Sequence, residues 1–245
     1  MSTRRTRIHR HCLLGVLGAV GCWVTASARS AETHWLDLES RIQYGYFTED
    51  RHSLQNLAES LGAPDSHDRL KSYYVGLLAY RLTQLDPNKS EAQRCVHALD
   101  QSLRAQSDFA DALALQSACL AVLTELGKWR TPFGAPKSAT QLRKALDLAP
   151  RNPRVLLLDA LADYEHGGAT GSCEKFKSTA AGFDAERANV DQVPGWGAAE
   201  AYMWLGRCYL DKGDVVPARD ALERALLIAP EFAPARRLLS SITSG

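Results

Sequence analysis

Five histidines and four cysteines lie beyond residue 28. They are the side chains best able to hold a metal or attack a bond. The histidines are His34, His52, His67, His97 and His166. No two of them form HExxH, which sets two imidazoles on one helix face over a zinc ion. There is no GxSxG elbow, and no Cys–His arrangement stands out. Gly167-Gly168-Ala169-Thr170-Gly171-Ser172 has the glycine content of a phosphate loop. It lacks the Gly-Lys-Ser/Thr ending and follows no strand, so it reads as a turn between helices. Asp159 and Asp163 share a helix face, but a two-carboxylate hydrolase presents its second acid from across a cleft. They read as solvated charges. The expectation is a protein that is not an enzyme, with no metal and no cofactor.

The first 28 residues read as a cleavable signal peptide. Arg4, Arg5, Arg7 and Arg10 precede an apolar run from Leu13 to Val24. Ala26-Ser27-Ala28 then supplies the small-x-small pattern that signal peptidase cuts after. The run is too short for a membrane-spanning helix, which needs about 20 apolar residues. Ala19 stands where a lipobox carries an aliphatic residue, which argues against a lipid anchor at Cys22. Removing four arginines and no acid takes the formal charge from +1 to −3. That balance argues against nucleic acid as a partner, because neutralising phosphates needs a basic patch. No later stretch approaches spanning length. The expected location is outside the cytoplasm, periplasmic or secreted, with a leader at 1–28 and a helical domain at 34–245.

The remaining chain shows no sustained period-two alternation, so strands are not expected. Residues 70–85 and 90–106 flank Asp86-Pro87-Asn88-Lys89. Pro and Asn stop the first helix there, and Ser90 is placed to cap the second through its side-chain oxygen. Residues 111–126 are apolar on most of their surface, as in a buried helix. Residues 138–150 form the helix after it. Gly62 is a stop signal for an earlier one.

Within 202–230, Leu205-Gly206 is followed by Tyr209, Gly213, Ala218, Leu222, Ala225 and Pro230. This spacing resembles the tetratricopeptide repeat, a helix–turn–helix unit of about 34 residues. Leu142, Ala145 and Pro150 keep the mutual spacing of Leu222, Ala225 and Pro230. Phe176 stands where Leu222 does, but Asp159-Ala160 replaces the Leu-Gly step, so the upstream copies are degenerate. The resemblance implies an all-α fold, an α-solenoid of about five antiparallel helix pairs. The pairs are expected at about 34–62, 68–106, 110–150, 153–184 and 199–232, with a capping helix at 233–243.

In this family the first helix of each pair lines a concave surface that grips a peptide. Carried over by helical spacing, the lining is Tyr74, Leu78, Ala114, Ala118, Leu161, Tyr164, Met203 and Arg207. Tyr74, Tyr164 and Arg207 lead, because Tyr and Arg favour interface centres. Packing between repeats is the competing use for all of them. Two irregular linkers, 128–137 and 184–197, carry Trp129, Phe133 and Trp196, loop aromatics that face a partner or tuck into a neighbouring repeat. The repeat plan also sets Cys95 and Cys119 equally far from a turn near Ser107, and Cys173 and Cys208 equally far from Val190-Asp191. It favours the disulfides Cys95–Cys119 and Cys173–Cys208, with four buried free thiols as the open alternative. The expected role is binding a protein or peptide in the cell envelope, as an adaptor or assembly factor. A small-molecule or glycan-binding helical module is the alternative, and a hydrolase with an unreadable site is the remote one.

Overall fold

A computed structural model describes residues 34–127, 134–186 and 193–243. The expected leader, Cys22, Trp129 and Phe133 lie outside those residues. The described residues form eleven helices and no strand. They are α1 (34–47), α2 (Arg51–Leu61), α3 (Arg69–Leu85), α4 (Lys89–Ala105), α5 (Ala110–Leu126) and α6 (Gly134–Leu148). Then follow α7 (Pro153–Gly167), α8 (Ala169–Glu186), α9 (Ala198–Asp211), α10 (Val215–Ile228) and α11 (Ala233–Thr243).

Short polar side chains start several of these helices by accepting the first free backbone N–H groups. Asp50 accepts from Ser53, Asp68 from Leu70 and Lys71, and Asn152 from Arg154. At α4 the cap is Asn88, which accepts from the Glu91 N–H at 2.9 Å, and not Ser90. Ser90 already lies inside the first turn, so its hydroxyl sits past the position from which a cap must act. The glycine-rich stretch is a turn, as Gly168 (φ 66°) and Gly171 (φ 82°) take left-handed backbone at the α7–α8 junction.

Consecutive helices pack as pairs: α3 with α4, α5 with α6, α7 with α8 and α9 with α10. In three pairs a glycine on the first helix lets a leucine of the second come close. A Cβ on Gly206 would lie 2.6 Å from Leu222, one on Gly76 2.7 Å from Leu99, and one on Gly45 2.9 Å from Leu54. The Gly–Leu contact of the clear repeat therefore recurs twice upstream. The leucines fall at different distances along the sequence because the helices differ in length.

The first helices also stack on one another, α3 on α5 and α5 on α7. α3 and α5 are buried around most of their circumference, as an inner row requires. α1 does more than begin the stack. Its Leu38 and Ile42 join the main core, while its Tyr46 and Phe47 join a second cluster with Met203 of α9, Leu222 of α10 and Phe232 before α11. Phe47 and Phe232 have ring centroids 4.5 Å apart. Arg237 of α11 then holds Glu49, in the α1–α2 turn, through two hydrogen bonds of 2.7 Å. The first repeat is thus docked on the last.

Candidate functional site

Docking α1 against the last repeat fills the interior with the chain's own side chains. The Tyr74 hydroxyl donates to Glu39 of α1 at 2.7 Å, and its ring stacks on Trp35 at 5.4 Å. Glu39 also accepts from the Gly195 N–H. Burial pushes its carboxyl above the usual glutamate range, against the lowering pull of Tyr74, Gly195 and Arg154. Burial, with Glu39 beside it, raises the Tyr74 phenol as well. Deeper in, Arg81 of α3 pairs with Glu200 of α9, and Gln43 of α1 hydrogen-bonds to both. The Arg81 guanidinium lies 4.1 Å from the Tyr46 ring and 4.8 Å from the Trp196 ring. Arg81 Nε and Glu200 Oε2 find no partner within this buried cluster. Arg154 of α7, within electrostatic reach of Glu39, holds Asp111 of α5 at 2.7 Å and Glu186 of α8 at 2.9 Å.

The positions named from the sequence as a concave lining therefore do not form one open surface. Tyr74, Leu78, Ala114 and Met203 are buried in the core, the first and last of them covered by α1. Trp196 is also buried, and its indole N–H donates to the Tyr73 hydroxyl at 2.7 Å, so of the two fates open to this loop aromatic it takes the inward one. Ala118, Leu161 and Tyr164 remain half-buried, and Arg207 is exposed.

Of these, Tyr164 and Arg207 are brought together. The Tyr164 hydroxyl donates to Asp211, and Arg207 Nε donates to the same carboxylate at 3.0 Å. Trp204 sits edge-on to Tyr164 at 5.4 Å and stacks on Phe176 at 6.2 Å. Burial and the Asp211 carboxylate together raise the Tyr164 phenol, so it stays a neutral donor. The Asp211 hydrogen bond likewise favours the charged form of Arg207. The result is a solvent-facing aromatic and cationic cluster on two neighbouring first helices, α7 and α9. Residue-type reasoning missed Trp204 and Asp211, although Asp211 lies one helical turn beyond Arg207, the spacing at which charged side chains meet.

Two cystines brace these elements. Cys95 and Cys119 join α4 to α5, with Cα atoms 6.1 Å apart. Cys173 and Cys208 join α8 to α9, at 5.6 Å. Cys208 is next to Arg207, so the second cystine anchors the helix that carries the exposed cluster. Asp159 and Asp163 do share a face, and both hold Lys175 of α8. Among the described residues no three His, Cys, Asp or Glu side chains are placed to share a metal ion. No described helix is long and apolar enough to cross a membrane.

The family profile described as Tetratricopeptide repeat matches residues 199–232. Among solved structures, TTC0263, a thermophilic TPR protein of Thermus thermophilus, superposes with a TM-score of 0.58 at 15% identity, covering 87% of this chain and 100% of that one. At that identity the likeness is one of fold. A structure described as MamA MSR-1 C2 gives a TM-score of 0.34 at 14% identity over 88% of this chain and 99% of that one. The Cut9–Hcn1 hetero-tetramer of the APC/C gives 0.24 at 13% identity over 82% and 48%. No curated protein shows significant similarity to the chain. The chain therefore carries a tetratricopeptide repeat at 199–232 within an all-helical fold like that of TTC0263.

Proposed function

We propose that the chain is exported and acts in the cell envelope as a scaffold that binds a protein or peptide, with no chemistry of its own. The observation that carries this is the cluster on α7 and α9 in which half-buried Tyr164 and Trp204 adjoin exposed Arg207 and Asp211. An aromatic pair beside an arginine has the composition of an interface centre. The two cystines support an oxidising compartment. α1 covers Tyr74 and Met203, so the partner docks at the cluster that stays accessible on α7 and α9.

The test is crosslinking of the tagged full chain in its own cells, followed by fractionation. The expected result is a shortened chain beginning at residue 29 in the periplasm or medium, crosslinked to a defined protein. Tyr164→Ala with Arg207→Ala should reduce that crosslink about tenfold or more, the scale of losing an interface anchor. A cytoplasmic, uncut chain would defeat the export reading. An undiminished crosslink in the double variant would defeat the placement of the surface.

A further inference from the structure

A cleft of about 450 Å³ lies between α4 and α6, with α5 as its floor. Its size is that of a small-ligand pocket. Val96 and Asp100 form one wall, Gln116 and Leu120 the floor, and Lys137 and Gln141 the other wall. Packing between helices normally puts apolar side chains in such a place. Here a polar ladder crosses it. Gln116, only 2% exposed, donates to Asp100 at 2.6 Å and accepts from Gln141. Each carboxamide is locked by its neighbours, which orients the edges it shows to the cleft. Asp100 engages one carboxylate oxygen in the ladder. Its other oxygen and the Lys137 ammonium have no partner among the described residues. The two opposite charges face the cleft from different walls without pairing to each other. Cys95 and Cys119, the neighbours in sequence of Val96 and Leu120, tie one wall to the floor covalently. The cleft is therefore preorganised, which lowers the ordering cost of filling it.

We propose that this cleft binds a free short peptide in its zwitterionic form. Asp100 takes the terminal ammonium and Lys137 the terminal carboxylate. A carboxamide offers a donor and an acceptor in one plane, which matches the peptide bond between the two ends. Val96 and Leu120 supply the apolar contact for a side chain. A phosphate or other simple anion does not fit, because Asp100 repels it. A sugar is disfavoured because no aromatic ring lines the cleft among the described residues. This site lies on α4, α5 and α6, apart from the cluster on α7 and α9, and stands independently of the proposed partner surface.

The experiment is calorimetric titration of the exported form with trialanine and trileucine, each as the free zwitterion, the N-acetyl form and the C-terminal amide, up to about 10 mM, which reaches weak ligands. The free peptides should bind, and each blocked form should bind at least about tenfold more weakly, the loss of one charged contact. Asp100→Asn should remove the penalty for N-acetylation and Lys137→Met the penalty for amidation. Both positions are exposed, so both variants should fold, as circular dichroism will check. Tyr164→Ala with Arg207→Ala should leave these affinities unchanged. Equal binding of free and blocked peptides, variants that discriminate like the native chain, or no binding by either free peptide would each overturn the proposal.

Discussion

Arg81 and Glu200 form a buried ion pair although 119 residues separate them. The pair ties the second repeat to the last, and Gln43 brings the first repeat into the same cluster. Its geometry makes a sharp prediction, because a buried charge that loses its partner costs far more than a pair replaced together. Arg81→Ala should lower unfolding free energy by about 3–5 kcal/mol, the usual cost of stranding a buried charge. Arg81→Met with Glu200→Gln should restore most of that loss. Urea unfolding of the three proteins measures it. A single variant within about 1 kcal/mol of the native chain would mean the pair is solvated in solution.

Glu39 makes the stability depend on pH in a defined direction. Burial holds its carboxyl above the ordinary glutamate value, in spite of Tyr74, the Gly195 N–H and Arg154, while Glu200 raises it further. Between the ordinary and the raised value the folded chain binds more protons than the unfolded one. The contribution of Glu39 is therefore fully present below the ordinary glutamate pKa and is lost as pH rises through the raised one. Glu39→Gln removes that titration and keeps an acceptor for Tyr74. Its stability relative to the native chain should improve steadily from acid to neutral pH. Urea midpoints for both proteins across that range supply the test. Parallel curves would show that Glu39 titrates as an ordinary surface carboxyl.

The helices and the last repeat were legible because they rest on local signals: apolar spacing, turn residues and the Leu205-Gly206 step. The docking of α1 on α9 and α11 was not. It depends on how sharply successive pairs curve, and Glu39, Gln43 and Glu200 look like any surface polar residue until that curvature brings them together. Tyr74 shows the same limit. A tyrosine suits the centre of an interface between repeats as well as one between proteins, and residue type cannot tell the two apart. Arg207 was placed in the concave lining from its position on a first helix; it is exposed, and its partner Asp211 one turn on was within reach of the same reasoning. Asn88 took the capping role expected of Ser90 for a similarly local reason, one that only the helix boundary reveals.

Gly76 and Gly206 are predicted to be equivalent in energetic terms, although only the second stands in a recognisable repeat. Each faces a leucine so closely that a Cβ would lie under 3.0 Å from it. Alanine favours helix over glycine by about 1 kcal/mol when exposed, so a stabilising change is the naive expectation. Overpacking reverses the sign here. Gly76→Ala and Gly206→Ala should each destabilise by about 1–3 kcal/mol, whereas Gly167→Ala, with open space around it, should not. Thermal melts of the three variants decide it. A stabilised Gly76→Ala would show that the upstream Gly–Leu contact is looser than in the clear repeat.

The two cystines should be separable by function as well as by stability. Each closes a loop of moderate length, so chain entropy assigns about 3–4 kcal/mol to either one. Thiol titration of a chain beginning at residue 29, after denaturation without reductant, should find none of Cys95, Cys119, Cys173 and Cys208 free, and four free thiols would remove the basis of this prediction. Changing Cys173 and Cys208 to serine frees α9 from α8, and α9 carries Trp204, Arg207 and Asp211. That variant should lose partner crosslinking at temperatures where it remains folded, while trialanine binding stays. Changing Cys95 and Cys119 to serine loosens the wall and floor of the α4–α6 cleft and should do the reverse. Equal loss of both activities in both variants would mean that the cystines act only through global stability, with no local bracing of either surface.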